Sequence, residues 1–225
     1  MSLRQITLMT ARYAYMIAGF FVLAAGVQTT VQAGLGVSPW DVFHLGVAGR
    51  TGLTLGQVSE LIGLIIVAVT WPLGVRPRLA TILNMVLIGV FIDWIARLGI
   101  APQPQSFLAA LVQVTAGYLL LGAGTGFYLS AGLGAGPRDS LMLVLTRRTH
   151  RTVALVRTIM EGSVLGVGWL LGGPVGWGTV IGVLLVGPAT HGALEAFGWL
   201  SRLPGLRLVI RTGYAVARPA GEDAG

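Results

Sequence analysis

Shifted against itself by 98 residues without a gap, the chain lays positions 19–89 over 117–187 with 22 of 71 residues identical. A duplication of this length limits the fold to an assembly of two like halves. Ala33-Gly34-Leu35-Gly36 falls on Ala131-Gly132-Leu133-Gly134, Pro39 and Asp41 on Pro137 and Asp139, Arg50-Thr51 on Arg148-Thr149, and Trp71 on Trp169. Thirty-four glycines in 225 residues produce some matches by chance. They do not bring proline, aspartate, arginine and tryptophan into one register.

Each copy carries three long apolar stretches, at 13–31, 58–73 and 79–96 in the first and at 107–130, 153–171 and 177–200 in the second. The chain is 54% apolar and 10% charged, with a mean hydropathy of +0.80, whereas a soluble domain carries roughly 25% charged residues. The composition excludes a water-soluble globule and a disordered chain, and predicts an all-α polytopic membrane protein. Arg4 and Arg12 ahead of the first stretch give it the look of a cleavable leader. Its counterpart lies mid-chain, where cleavage has no place, so it reads as the first membrane helix. The expected organisation is a cytoplasmic N-terminus at 1–12, membrane repeats at 13–98 and 107–200, and a cytoplasmic amphipathic and flexible tail at 201–225, where Arg202, Arg207 and Arg211 flank apolar residues.

Between the first and second stretch of each copy lies a shorter piece, 39–49 and 137–147. Such a helix rises about 16 Å, half the hydrocarbon thickness. Proline in the first turn, aspartate two residues later and glycines just before form a helix-start pattern, so both pieces are predicted half-helices or re-entrant segments. Three crossings per copy is an odd number and turns the second copy over. The predicted architecture is therefore two 3-helix inverted repeats, each with a short half-helix. Arginine placement agrees: with the N-terminus inside, thirteen of the 15 fall on the cytoplasmic side, and only Arg50 and Arg97 outside. The net charge of +7 rests on arginine alone. With no basic run interleaved with aromatics on a folded domain, nucleic acid is excluded as a partner. The absence of cysteine removes disulfides, thiolate metal sites and cysteine nucleophiles.

An ionisable side chain at membrane depth costs at least about 2.5 kcal/mol, so the few present are candidates for functional or paired roles. Asp41 and Asp139 stand third in the two short helices. Each either caps its own helix or, where two half-helix starts meet near the midplane as in broken-helix transporters, binds a cation or takes up a proton. On that second reading the solute-binding residues are Gly34, Gly36, Pro39, Trp40 and Asp41 in the first copy and Gly132, Gly134, Pro137, Arg138 and Asp139 in the second. Trp40 set against Arg138 makes the two starts chemically unequal. Arg157 and Glu161 share one helix face. Glu60 is matched by Thr158 and so lacks the arginine partner; these three are the coupling or pathway candidates. Asp93 and His191 occupy matched positions near stretch ends, where headgroup contact accounts for them. His44, His150 and His191 fall at no metal-ligand spacing, so no metal, cofactor or catalytic residue is expected. Gly162 with Gly166, and Gly178 with Gly182, predict close helix packing.

The run Gly34-Leu-Gly-Val-Ser-Pro-Trp-Asp-Val-Phe-His44 resembles the signature of the YczE branch of the YczE/YyaS/YitT bacterial integral membrane proteins. Gly134-Ala-Gly-Pro-Arg-Asp-Ser-Leu-Met142, Val156-Arg-Thr-Ile-Met-Glu161 and Gly168-Trp-Leu-Leu-Gly-Gly-Pro174 resemble the same branch, over about residues 10–200. The resemblance implies a polytopic bacterial inner-membrane protein.

The functional reading is a small secondary transporter or permease, not an enzyme, with its site between the helix starts and Arg138 favouring an anionic or zwitterionic solute. The alternative is a non-transporting membrane scaffold or accessory protein for an export or biosynthetic complex, with Arg147, Arg148, Arg151 and the C-terminal arginines docking a cytosolic partner. The partners expected are the lipid bilayer, a small solute, a proton or cation, and further copies of the chain in a homo-oligomer.

Overall fold

A computed structural model describes residues 3–134, 136–203, 206, 209 and 210. Among the described residues the fold is all-helical, with eight helices in chain order: α1 (Leu3–Ala33), α2 (Pro39–Thr51), α3 (Leu55–Thr70), α4 (Leu79–Leu98), α5 (Phe107–Ser130), α6 (Pro137–Thr149), α7 (Val153–Leu170) and α8 (Trp177–Leu200). Five of them, α1, α4, α5, α7 and α8, are long and apolar enough to cross a membrane. The pair α2 and α3, bent by 109° at its break, makes a sixth candidate. Leu64, Ile65, Trp94, Leu108, Val112 and Leu184 are exposed. Outward apolar faces on this scale mark a lipid-facing surface.

The short helices begin at the two expected prolines and run 13 residues each, about 20 Å. Both end on a left-handed residue at matched repeat positions, Gly52 (φ 73°) and His150 (φ 52°). Two helix starts differ from the sequence expectation, and both short helices run two residues beyond it. Helix α1 starts at Leu3 rather than near residue 13, because the helix-forming residues ahead of the apolar stretch continue its ladder. Helix α3 starts at Leu55 rather than 58, because Thr54 accepts from the Gln57 N–H while the Gln57 side chain accepts from the Thr54 N–H, a reciprocal cap. The expected tail at 201–225 lies largely outside the described residues.

The centre of the structure is the pair α1 and α5. Arg12 bonds to the Ala131 carbonyl, Tyr15 to Ser130, Gly19 packs on Gly124, and Gly26 packs on Gly117. Partner numbers fall as α1 numbers rise, so the two helices run antiparallel. A Cβ on Gly26 would stand 2.5 Å from the Leu121 nitrogen and 2.7 Å from the Gly117 oxygen. Only glycine admits so close an approach of backbones.

Around this pair the copies interlock. Helix α4 packs on α1 and α8 on α5, while α2 lies against α7 and α6 against α3. Each short helix is thus housed by the other copy's long helix. Gly46 approaches the Gly168 carbonyl, and Gly168 in turn sits against the Phe43 backbone.

One relation is not repeated. Helices α3 and α4 pack together, whereas α7 and α8 barely touch. Asp93 clasps the start of α3, accepting from the Thr54 hydroxyl and from the Gly56 N–H at 3.0 Å. Gly56 and Gly89 meet backbone to backbone. At the matched positions of the second copy, a Cβ on Gly187 meets nothing within 4 Å, and His191 pairs instead with Glu195 on its own helix. The expectation for Gly162 and Gly166 is corrected: no neighbour approaches within 4 Å of a Cβ at either, because α7 and α8 diverge. Gly178 and Gly182 do receive neighbours, the Gly36 backbone and the Tyr118 ring.

Placing valine at Gly26 or Gly124 forces backbone against side chain and is expected to destabilise the fold by about 3 kcal/mol or more. Gly162→Ala and Gly166→Ala are expected to be neutral or slightly stabilising, since alanine is the better helix former. Thermal unfolding in detergent, followed by size-exclusion of the heated sample, checks both.

Candidate functional site

The two short-helix starts face each other across the middle of the bundle. Ser38 caps α2: its hydroxyl accepts from the Asp41 N–H at 3.4 Å and donates to Asp41 Oδ2 at 2.6 Å. Asp41 therefore supports the cap through Ser38 rather than by taking a backbone N–H itself. Asp139 acts directly. Its Oδ2 accepts from the Gly136 N–H at 3.1 Å and from the Tyr128 hydroxyl at 3.2 Å. Helix start and carboxylate are thus joined in both copies by different wiring, since the serine of the first copy is glycine in the second.

Between the starts stands Arg138. Its guanidinium carbon lies 4.7 Å from the centroid of the Trp40 ring, a cation–π stacking distance. Among the described residues it makes no hydrogen bond and no ion pair, so its planar set of N–H donors is unspent. The residue that is tryptophan in one copy and arginine in the other meets its own counterpart.

These groups line a cavity of about 550 Å³. Its wall is built from matched positions of both copies: Pro39 with Pro137, Asp41 with Asp139, His44 with Met142, Ser59 with Arg157, Gly63 with Glu161. The rest of the wall is mostly apolar, including Ile62, Ile66, Met85, Ile88 and Val183. Residues of α7 and α8 on either side of their open contact, Met160 and Glu161 facing Gly187 and Leu194, also belong to the lining. The cavity therefore reaches the gap between these two helices.

Of the candidates read from the sequence, the structure brings together Pro39, Trp40, Asp41, Pro137, Arg138, Asp139, Arg157 and Glu161. Arg157 Nε pairs with Glu161 Oε1 at 2.9 Å. Gly34, Gly36, Gly132 and Gly134 stand outside the lining, in the turns leading to the short helices. All four have positive φ, at 68°, 94°, 62° and 152°. Gly36 also admits the start of α8, where the Gly178 N–H donates to the Leu35 carbonyl at 2.7 Å. Glu60 is apart from the cavity as well, folded over Gly89 at the contact of α3 with α4. Asp93, assigned to headgroup contact from its position, is instead the clasp on the start of α3.

Sequence reasoning passed over His44. It is 1% exposed, its Nδ1 lies 3.8 Å from Asp41 Oδ1, and its Nε2 is buried with no hydrogen-bond partner. The available signal was the repeat itself, which sets an apolar methionine at the same place.

A polytopic helical membrane protein with an internal cavity between two short-helix starts is the class these features define. The chain belongs to the family of unknown function DUF6198, whose pattern matches residues 10–193. It is 44% identical to the uncharacterized membrane protein YczE of Bacillus subtilis (strain 168), over 78% of this chain and 82% of that one. It is 35% identical to an uncharacterized protein of Haemophilus influenzae, over 88% and 91%, and 31% identical to the uncharacterized protein YyaS of B. subtilis, over 80% and 90%. No solved structure matches the chain.

Asp139→Ala strips the Gly136 N–H and the Tyr128 hydroxyl of their acceptor, at an expected cost of about 1–3 kcal/mol. Tyr128→Phe in the alanine background is expected to recover part of that loss, because it removes the hydroxyl that Asp139 accepted from. A double-mutant cycle on thermal unfolding in detergent reads the coupling.

Proposed function

We propose that the protein is a non-enzymatic inner-membrane permease for a small solute, built from two inverted repeats, with the solute held between the starts of α2 and α6. The observation that carries this reading is Arg138: a stacked guanidinium with unspent donors, at a helix start, in the wall of an internal cavity. Helix N-termini and guanidinium groups both favour an anionic group. The antiparallel run of α1 against α5 supports the inverted relation of the copies. So do the reciprocal contacts of Gly19 with Gly124 and Gly26 with Gly117, since positions 19 and 117, and 26 and 124, are repeat equivalents.

The unequal halves supply a route to alternating access. In the state described, α3 and α4 are clasped and α7 and α8 are apart. Exchanging the conformations of the two copies would open the first pair and close the second, bringing Gly187 toward Ala154 and His191 toward Thr152, as Gly89 and Asp93 now stand to Gly56 and Thr54. Only 11% of the most apolar stretch of α7 and of α8 is buried, against 44% in α1, so these two helices turn most of their apolar surface outward. Pro188 contributes no N–H to the ladder of α8 beside the gap. Both termini are assigned to the cytoplasm on the arginine distribution.

The chain contains no cysteine, so introduced pairs report cleanly. Thr152→Cys with His191→Cys is expected to cross-link in membranes, in competition with the matched pair Thr54→Cys and Asp93→Cys, and a bound solute is expected to shift the ratio. Equal, solute-independent yields would leave a static scaffold. Flux of a panel of small anions and zwitterions into proteoliposomes is expected to fall at least tenfold in Arg138→Gln. A single cysteine at position 50 is expected to react with an impermeant maleimide from outside the cell; reaction only after lysis would reverse the assigned topology.

A further inference from the structure

Resting on the cavity reading above, we infer that the cavity takes an α-amino acid: Arg138 holds its carboxylate, and Asp41 and His44 hold its ammonium group.

Among the described residues, the buried His44 Nε2 and Tyr118 hydroxyl have no hydrogen-bond partner. Their side chains are 1% and 0% exposed. Leaving such groups unpaired is costly, and the duplicated sequence shows that the fold does not require them. Met142 stands at the position matching His44, and Phe20 at the position matching Tyr118. Phe20 is fully buried in its own copy, so an apolar ring serves the packing equally well. The polar atoms are thus additions that the helix packing does not use.

His44 stands beside the Asp41 carboxylate: its Nδ1 is 3.8 Å from Asp41 Oδ1, and both residues line the cavity. The Tyr118 ring lies behind the wall, against Gly182. Asp41 Oδ2 is taken by Ser38, which leaves Oδ1. With the proton on the nitrogen facing Asp41, His44 Nε2 is an acceptor. Oδ1 and Nε2 are then the acceptors that the cavity wall leaves for the N–H donors of an ammonium group.

Charge balance favours a zwitterion over a simple anion. Arg157 is already paired with Glu161, so around the helix starts one free cation, Arg138, faces two carboxylates, Asp41 and Asp139. An anion alone would enter a region of net negative charge, whereas a solute carrying both charges leaves the balance unchanged. Both poles line the same cavity, Arg138 on Trp40 and Asp41 at the next residue. An α-amino acid carries its two charged groups on a single carbon. The apolar wall suits an aliphatic side chain.

Calorimetric titration of the full chain in nanodiscs with L-leucine, 4-methylpentanoate and 3-methylbutylamine separates the poles, because the three share a carbon skeleton. Leucine is expected to bind at least tenfold more tightly than either single-charge analogue. His44→Met, taken from the other copy, is expected to weaken leucine tenfold or more while leaving 4-methylpentanoate unchanged, and Tyr118→Phe, behind the wall, is expected to alter neither. Unaltered thermal unfolding without ligand verifies that both variants fold. Equal binding of leucine and 4-methylpentanoate, or indifference of leucine to His44→Met, overturns the ammonium pole. If the carboxylate alone binds and Arg138→Gln abolishes it, the amino-acid inference falls and the solute site stands. Binding of none of the three by the folded protein removes both.

Discussion

The contact of α1 with α5 determines what the rest of the molecule can be. Four glycines, Gly19, Gly26, Gly117 and Gly124, let two antiparallel backbones meet without side chains between them. In lipid no hydrophobic gain drives two apolar helices together, so association relies on close packing and on polar contacts at the ends. Arg12 on the Ala131 carbonyl and Tyr15 on Ser130 are such contacts. Because each copy contributes the same two glycines, the contact is reciprocal. The outer helices α4 and α8 then take equivalent places on either side, and the short helices are directed inward to a common point.

Much of this was legible in the sequence because the decisive signals were local. Proline at the first turn fixed the starts of α2 and α6 to the residue. Their length against the bilayer thickness set them apart from the long helices. The capping pair Thr54 and Gln57 was equally local, and it accounts for the three-residue discrepancy at the start of α3. Other features depend on residues far apart in the chain. Asp93 reaches the start of α3 across 39 positions, which no periodicity reveals. Small residues at four-residue spacing permit two helices to approach but do not say whether they do. Gly178 and Gly182 have neighbours, while Gly162 and Gly166 face open space.

The candidate site shows the same division. Asp41, Arg138 and Asp139 were found because charge is expensive in lipid. His44 was passed over because a solitary histidine matches no metal-ligand pattern. A comparison of the copies by polarity rather than identity would have raised it, along with Tyr118, since each is the polar member of a pair whose other member is apolar. Glu60 illustrates the converse. Its charge drew notice, yet it lies over Gly89 at the clasped contact, outside the cavity.

The cross-housing of the short helices also bears on how the chain is made. Helix α2 ends at Thr51, and α7, against which it packs, begins at Val153. About a hundred residues must be synthesised in between, which takes roughly 5–20 s at ordinary translation rates. Throughout that interval the first half sits at the translocon with α2 lacking its neighbour, so neither half is a self-sufficient folding unit. Maturation awaits the arrival of the second half, and a ribosome stalled beyond Leu98 would leave a membrane-inserted fragment exposed to quality-control proteases.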